Sequence, residues 1–232
     1  MSQFDDLKER VYQANMELPR LGVVIHNFGN VSAVDRQRGI FAIKPSGVLY
    51  SVLKPQDIVI VDLECRVVEG TMNPSSDTKT HAVLYRHFPN IGGVVHTHSP
   101  FAVAWAQAQR PIPVYGTTHA DHLHVDIPVT KMMSDEAIQG DYEVETGMQI
   151  VRRFADLSPD EVQMVLVAGH GPFAWGTTPE KAVYHAVIVE ELAKMALYTE
   201  QVRGDVPRLK ESLIQKHYLR KHGPGAYYGQ RG

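Results

Sequence analysis

An apolar run that begins at Ile91 ends in Val94-Val95-His96-Thr97-His98 and is stopped by Ser99-Pro100. Side chains alternate faces along a strand, so His96 and His98 project from one face, one pleat apart. Two imidazoles converging on one point suit a divalent metal ion. Two core histidines bonded to nearby carbonyls would show the same spacing, so the decision rests on further ligands. Asp77 follows Pro74-Ser75-Ser76 at the start of a helical pattern through Val83, Leu84 and Phe88. Free amides at a helix N-terminus favour phosphate, and they equally keep a carboxylate ionised and available to a metal; capping alone would use one serine and one acid. His170 stands between Gly169 and Gly171 at the end of the apolar run Met164–Ala168. Flanking glycines clear the space around one imidazole, although a histidine in a turn is ordinary.

Other polar turns carry weaker signals. In Phe28-Gly29-Asn30-Val31-Ser32 a glycine allows close backbone approach beside a two-ended amide. Lys44-Pro45-Ser46-Gly47 offers a cation, a hydroxyl and a glycine amide to a phosphate or carboxylate, or else is a Pro-Gly turn with a solvated lysine. Gly116 to His124 sets Asp121 among three histidines and reads first as a solvated loop, then as an acid–base centre or second metal site. The stretch from Lys216 to Gln230 carries two histidines, three tyrosines and three basic residues, an aromatic content unlike that of a disordered tail.

These residues need a scaffold to hold them. The chain has 232 residues, 44% of them hydrophobic, enough for one domain with a sizeable core. Helical spacing runs from Phe4 to Leu18; strands are predicted at Ile40–Lys44, Asp57–Asp62, Ile91–His98, Pro111–Tyr115 and Met164–Ala168; helices are predicted from Ser99-Pro100 to Ala106, around Ile150 and Phe154, and from Thr178 to about Gln201. This alternation indicates one α/β domain, and the motifs sit at element ends. The net charge of −3 is spread without long runs, which argues against a nucleic-acid surface or a polybasic membrane patch. One cysteine, Cys65, excludes an internal disulfide framework. With no signal-peptide pattern at Met1–Asp6 and no apolar run of membrane-spanning length, a soluble cytoplasmic protein is expected.

Together GNVS, KPSG, PSSD, VHTHS, TTHAD, HGPFAWG and KHYLRKHG with a YYGQ ending resemble the L-ribulose-5-phosphate 4-epimerases of the class II aldolase/adducin family, from about Leu7 to Gln230. The resemblance implies a single domain over 1–232 whose central, mainly antiparallel sheet is flanked by helices in an α/β/α arrangement, with a tail, 205–232, that reaches a neighbouring subunit. It implies that Asp77, His96, His98 and His170 bind one zinc per subunit, with manganese as the alternative. Phe28, Gly29, Asn30, Lys44, Ser46, Gly47, Ser75 and Ser76 would line the site of a sugar phosphate. Asp121 and Tyr228, the latter from a neighbouring subunit, would be the acid–base pair, assisted by His217 from that same tail. The implied assembly is a homotetramer with active sites at its interfaces. The implied reaction breaks a carbon–carbon bond by retro-aldol cleavage and re-forms it on the opposite face, because the hydrogen at the inverted centre is not acidic.

The pattern departs from the epimerases at Phe28, where they usually have tryptophan, at His26, and at His122-Leu123-His124, where an aromatic pair is usual. Those changes bear on the substrate and on acid–base tuning. The rival expectations are a class II aldolase that releases its fragments, which typically has glutamate in place of Asp77 and no YYGQ ending, and a non-catalytic adducin-like binding domain, which would have lost histidine ligands.

Overall fold

The computed structural model describes residues 2–227. In chain order the elements are α1 (Asp5–Arg20), β1 (Asn30–Asp35), β2 (Ile40–Ile43), a 3-10 turn at Pro55–Asp57, β3 (Val59–Asp62), β4 (Val67–Glu69), α2 (Thr78–His87), β5 (Gly93–His96) and α3 (Pro100–Gln107). They continue as α4 (Thr117–Ala120), α5 (Asp135–Gln139), α6 (Tyr142–Arg153), β6 (Met164–Val167), β7 (Gly171–Gly176), α7 (Pro179–Val202) and α8 (Glu211–His222). The seven strands form one sheet in the order β4-β3-β2-β1-β5-β7-β6, and every adjacent pair is antiparallel. The expected single α/β domain with a central antiparallel sheet and flanking helices is what the chain forms.

Helices cover both faces, which is why strands such as Val59-Ile60-Val61 are apolar throughout and fully buried. On β1 the alternation is clear. Ala33 packs with Phe4, just ahead of α1, and with Val11 of α1, whereas Ser32 meets His81 and Tyr85 of α2 on the opposite face. The buried Asn15 amide of α1 holds β1 in place, donating to the Val31 carbonyl and accepting from its N–H, each at 2.9 Å. Thr178 caps α7 by accepting from the Lys181 amide at 3.2 Å, and Pro179 follows it. Gly93 lets that helix start rest on the sheet, since a Cβ there would lie 2.4 Å from Pro179 Cα.

Three local expectations change. The turn at Phe28 ends with Gly29, and β1 already begins at Asn30. Pro111–Tyr115 is not a ladder strand; it makes a lone bridge between Ile112 and Ile127. The turn at His170 opens directly into β7, a strand hidden in the sequence by Pro172 and its flanking glycines. Much of the aromatic, basic tail is helix α8, which packs on α4 of its own chain. Among the described residues no helix is long and apolar enough to cross a membrane.

Candidate active site

The three weak turn motifs become one site through backbone pairing. Ser46 donates its N–H to the Asn73 carbonyl and Ser75 donates to the Lys44 carbonyl, both at 3.0 Å, so the KPSG and PSSD turns lie side by side. Asn30 reaches the second turn by donating from Nδ2 to Ser75 Oγ at 3.1 Å and to Asp77 Oδ2 at 2.7 Å. Gly29, at φ +95°, is pressed against the sheet: an added Cβ would lie 2.9 Å from Val24 Cγ1 and 3.0 Å from the His96 carbonyl oxygen. Lys44 is only 2% exposed, with its Nζ 4.9 Å over the Tyr50 ring and 3.4 Å from the Asn27 carbonyl. Burial draws its pKa down to about 8. An entering anion would restore the charge that burial penalises.

The second half of the cleft is histidine. His96 ends β5, His98 lies two residues beyond, and His170 sits on the β6–β7 turn; one ring nitrogen of each lies within 4.8 Å of the others. His96 Nδ1 donates to the Pro172 carbonyl at 3.0 Å, which leaves Nε2 bare and facing His98 Nε2, also at 3.0 Å. Two converging imidazole nitrogens, one with its tautomer fixed by a carbonyl, fit a divalent cation. Phe173 stacks on the His96 ring at 4.2 Å, and Phe28 lies 5.6 Å from that of His98 at the open side. Burial, followed by the neighbouring His96 ring, keeps His98 and His170 neutral, the latter with a pKa near 3.

Asp77 lines the same cleft without joining that histidine cluster. Burial would raise its pKa, but His96, His81, the Asn30 amide and His170 outweigh burial and keep it a carboxylate. The cleft has a volume of about 370 Å³ and gathers all eight expected phosphate-site residues with Asp77, His96, His98 and His170. Asn27, Tyr142 and Glu143 also line it, and none of these was expected. Tyr142 and Glu143 open α6, and their place in the cleft follows from the packing of α6 on α2, for which no local motif exists.

Asp121 and His217 lie elsewhere; neither lines the cleft. Asp121 follows the single turn α4 as its C-cap, where its carboxylate accepts from Arg220 at 2.9 Å and meets His217 Nδ1 at 3.0 Å and Lys221 Nζ at 3.4 Å. Burial opposes its ionisation, but hydrogen bonds from Arg220 and His217 and the Lys221 charge hold its pKa below the ordinary value. Arg220 and Lys221 are the partners that were not anticipated. His122 beside it is kept neutral, with a pKa near 4, by burial and by Lys221. Tyr228 lies outside the described residues.

A model of the class II aldolase and adducin N-terminal domain matches residues 9–197. Among solved structures, an L-fuculose 1-phosphate aldolase superposes with a TM-score of 0.78 at 23% identity, over 95% of this chain and 97% of that one. The L-fuculose-1-phosphate aldolase of Thermus thermophilus is 27% identical with a TM-score of 0.65, covering 88% and 98% of the two chains. A sugar-phosphate aldolase of Thermotoga maritima gives a TM-score of 0.66 at 17% identity, covering 90% and 100%.

Proposed function

Because the chain belongs to the class II aldolase and adducin N-terminal domain family, we propose that it is a metal-dependent sugar-phosphate epimerase interconverting L-ribulose 5-phosphate and D-xylulose 5-phosphate. The observation that carries this reading is one cleft in which two paired polar turns with the buried Lys44 adjoin three converging imidazoles. His96, His98 and His170 would hold zinc, or manganese in its place, with Asp77 beside them. Bound there, such an ion supplies Lewis-acid stabilisation of the negative charge left when a carbon–carbon bond next to a ketone breaks.

The protein's own groups have separate tasks. Lys44, Ser46, Gly47, Ser75 and Ser76 grip the phosphate and keep the cleaved fragment from leaving. Inversion needs protons moved at the aldehyde oxygen on both of its faces, the work assigned to Asp121 and Tyr228 with His217 in support. Asp121 and His217 lie together, outside the cleft, which supports a homotetramer whose sites are completed by a neighbouring subunit.

The deciding assay supplies metal-replete protein with L-ribulose 5-phosphate and measures D-xylulose 5-phosphate and free glycolaldehyde separately. Interconversion without aldehyde release is expected. A second reading, an aldolase that lets its fragments go, is favoured by the aldolase names of the structural neighbours, and accumulating aldehyde would establish it. The aspartate at position 77 and the YYGQ ending favour the epimerase.

A further inference from the structure

Helix α7 carries one carboxylate inward. Glu190 is only 6% exposed, and Ala186 and Ala193, its neighbours one turn away on the same helix, are buried with it where α7 packs on α3. A carboxylate is costly to bury unless its oxygens are hydrogen-bonded. Both are: Oε1 accepts the Phe101 N–H at 3.0 Å and Oε2 accepts the Ala102 N–H at 2.8 Å. Phe101 and Ala102 are the second and third residues of α3, whose amides an N-cap side chain ordinarily takes and where the helix dipole favours a negative group. Yet α3 has its own N-cap serine. Ser99 stands before Pro100 in the extended conformation of a cap, but its side chain caps nothing; Ser99 Oγ faces backwards and accepts from Thr97 Oγ1 at 3.2 Å. The cap is supplied instead from 88 residues further along the chain.

The residue between Thr97 and Ser99 is His98. The ladder between β5 and β7 ends at His96, so His98 lies beyond it. His96 has its ring fixed by the bond from Nδ1 to the Pro172 carbonyl. Among the described residues the His98 ring has no hydrogen bond besides its 3.0 Å approach to His96. Apart from ring contacts with Phe28, His96 and His170, it is therefore placed by its backbone, which is held on both sides. On one side Thr97 donates its N–H to the Pro172 carbonyl at 3.4 Å. On the other, Ser99 and Pro100 join His98 to the two amides that Glu190 grips. Proline locks its own φ and restricts the residue before it, so this link has little freedom of its own. Thr97 and Ser99 are both buried, which leaves the link no room to swing.

We propose that Glu190 is a positioning residue for His98: by fastening the first two amides of α3 to α7 it holds the Ser99-Pro100 link in place, and with it the imidazole that faces His96. Glu190 does not line the cleft, so its influence passes through the backbone alone. This inference rests on the metal-binding reading of the cleft and is independent of the sugar processed.

The test uses the whole chain and metal alone. Zinc affinity is measured by competition with a chromophoric chelator, and the visible spectrum of the cobalt(II)-loaded protein reports the geometry around the ion. Glu190→Gln keeps the shape but offers one acceptor oxygen where two amides each had their own; it should bind zinc about three- to tenfold more weakly and alter the cobalt spectrum. Pro100→Ala leaves the grip of Glu190 intact and loosens the link, so it should show a smaller change of the same kind even if Glu190→Gln fails to fold. Trp105→Phe separates positioning from mere cohesion of the two helices. It removes the indole N–H that donates to the Ala193 carbonyl at 3.0 Å, on the same helix pair but away from the start of α3. That variant should melt at a lower temperature with zinc affinity and cobalt spectrum unchanged. Wild-type affinity and spectrum in either of the first two variants, or equal losses in Trp105→Phe, would overturn the role of Glu190 alone. Failure of the unaltered protein to bind zinc would overturn both this role and the metal-dependent reading.

Discussion

The Asp121 carboxylate and the His217 imidazole, 96 residues apart in the chain, meet at 3.0 Å. Arg220 closes on the same carboxylate with hydrogen bonds to both of its oxygens, and Lys221 adds a third basic group. The proposed acid–base aspartate and the last helix are therefore one mechanical unit, separate from the cleft that gathers the histidines and the phosphate turns. A movement of α8 would carry Asp121's hydrogen-bond partners with it.

If that unit serves a neighbouring subunit's cleft, two inactive proteins should rescue each other. His96→Asn removes a proposed metal ligand and Asp121→Asn removes the proposed acid–base group, so each alone should be nearly inactive. Co-assembled in equal amounts from unfolded chains, they should regain about a quarter of wild-type activity, the share of interfaces that unite two intact halves. Activity no greater than the sum of the separate variants would place the whole site within one chain.

Asp121→Asn and Tyr228→Phe should each lower the rate of epimerisation, by roughly 10²-fold or more, with zinc content unchanged. Both readings are needed: turnover from a coupled assay and metal from elemental analysis of the same preparation. Loss of metal in either variant would contradict an acid–base role.

Lys44 makes anion affinity depend on pH. Its pKa, drawn down to about 8, means that the ammonium is present below that value and is lost as pH rises through it. Sulfate, whose own charge is constant over this range, should bind well at pH 7 and progressively less tightly from pH 8 upward. Lys44→Met should bind weakly throughout and show no such step. Titration calorimetry at several pH values reads both effects, and a flat profile for the wild type would remove Lys44 from the anion site.

Gly29→Ala forces a Cβ against Val24 and the His96 carbonyl at a backbone angle that alanine rarely adopts. A loss of about 1–3 kcal/mol in folding stability is expected, measured by urea denaturation, together with weaker zinc binding because His96 is the residue displaced. Gly47→Ala, also at positive φ but with no atom within 4 Å of the added Cβ, should cost less and leave zinc affinity alone.

Much of this was legible in the sequence because its signals are local. The His96–His98 spacing brings both rings to one cleft although β5 ends at His96, helix starts expose Asp77 and Pro179, and the long apolar runs became strands. What stayed hidden depends on distant pairing. Nothing near Lys44 says that Ser75 will donate to its carbonyl, and nothing near Tyr142 says that it will reach within 3.5 Å of His170. Helix α8 escaped because of its described residues only Ile214 is buried, so there is no apolar stripe to read; its anchorage is the charge around Asp121. The family motifs gathered the site's members, but only the folded chain separates Asp121 from the cleft.

The centre of the sheet joins β1 to β5, and β5 is in turn flanked by β7, so the cleft draws its ligands from segments made far apart in time. During synthesis a chain that has emerged only as far as α6 possesses two of the three clustered imidazoles and lacks the strand that donates the Pro172 carbonyl to His96. Such non-local closure forms late, after the loops it must bridge have been made. A chain released before β7 is made would therefore lack the third imidazole's setting and the carbonyl that fixes His96, and with them the proposed chelating centre.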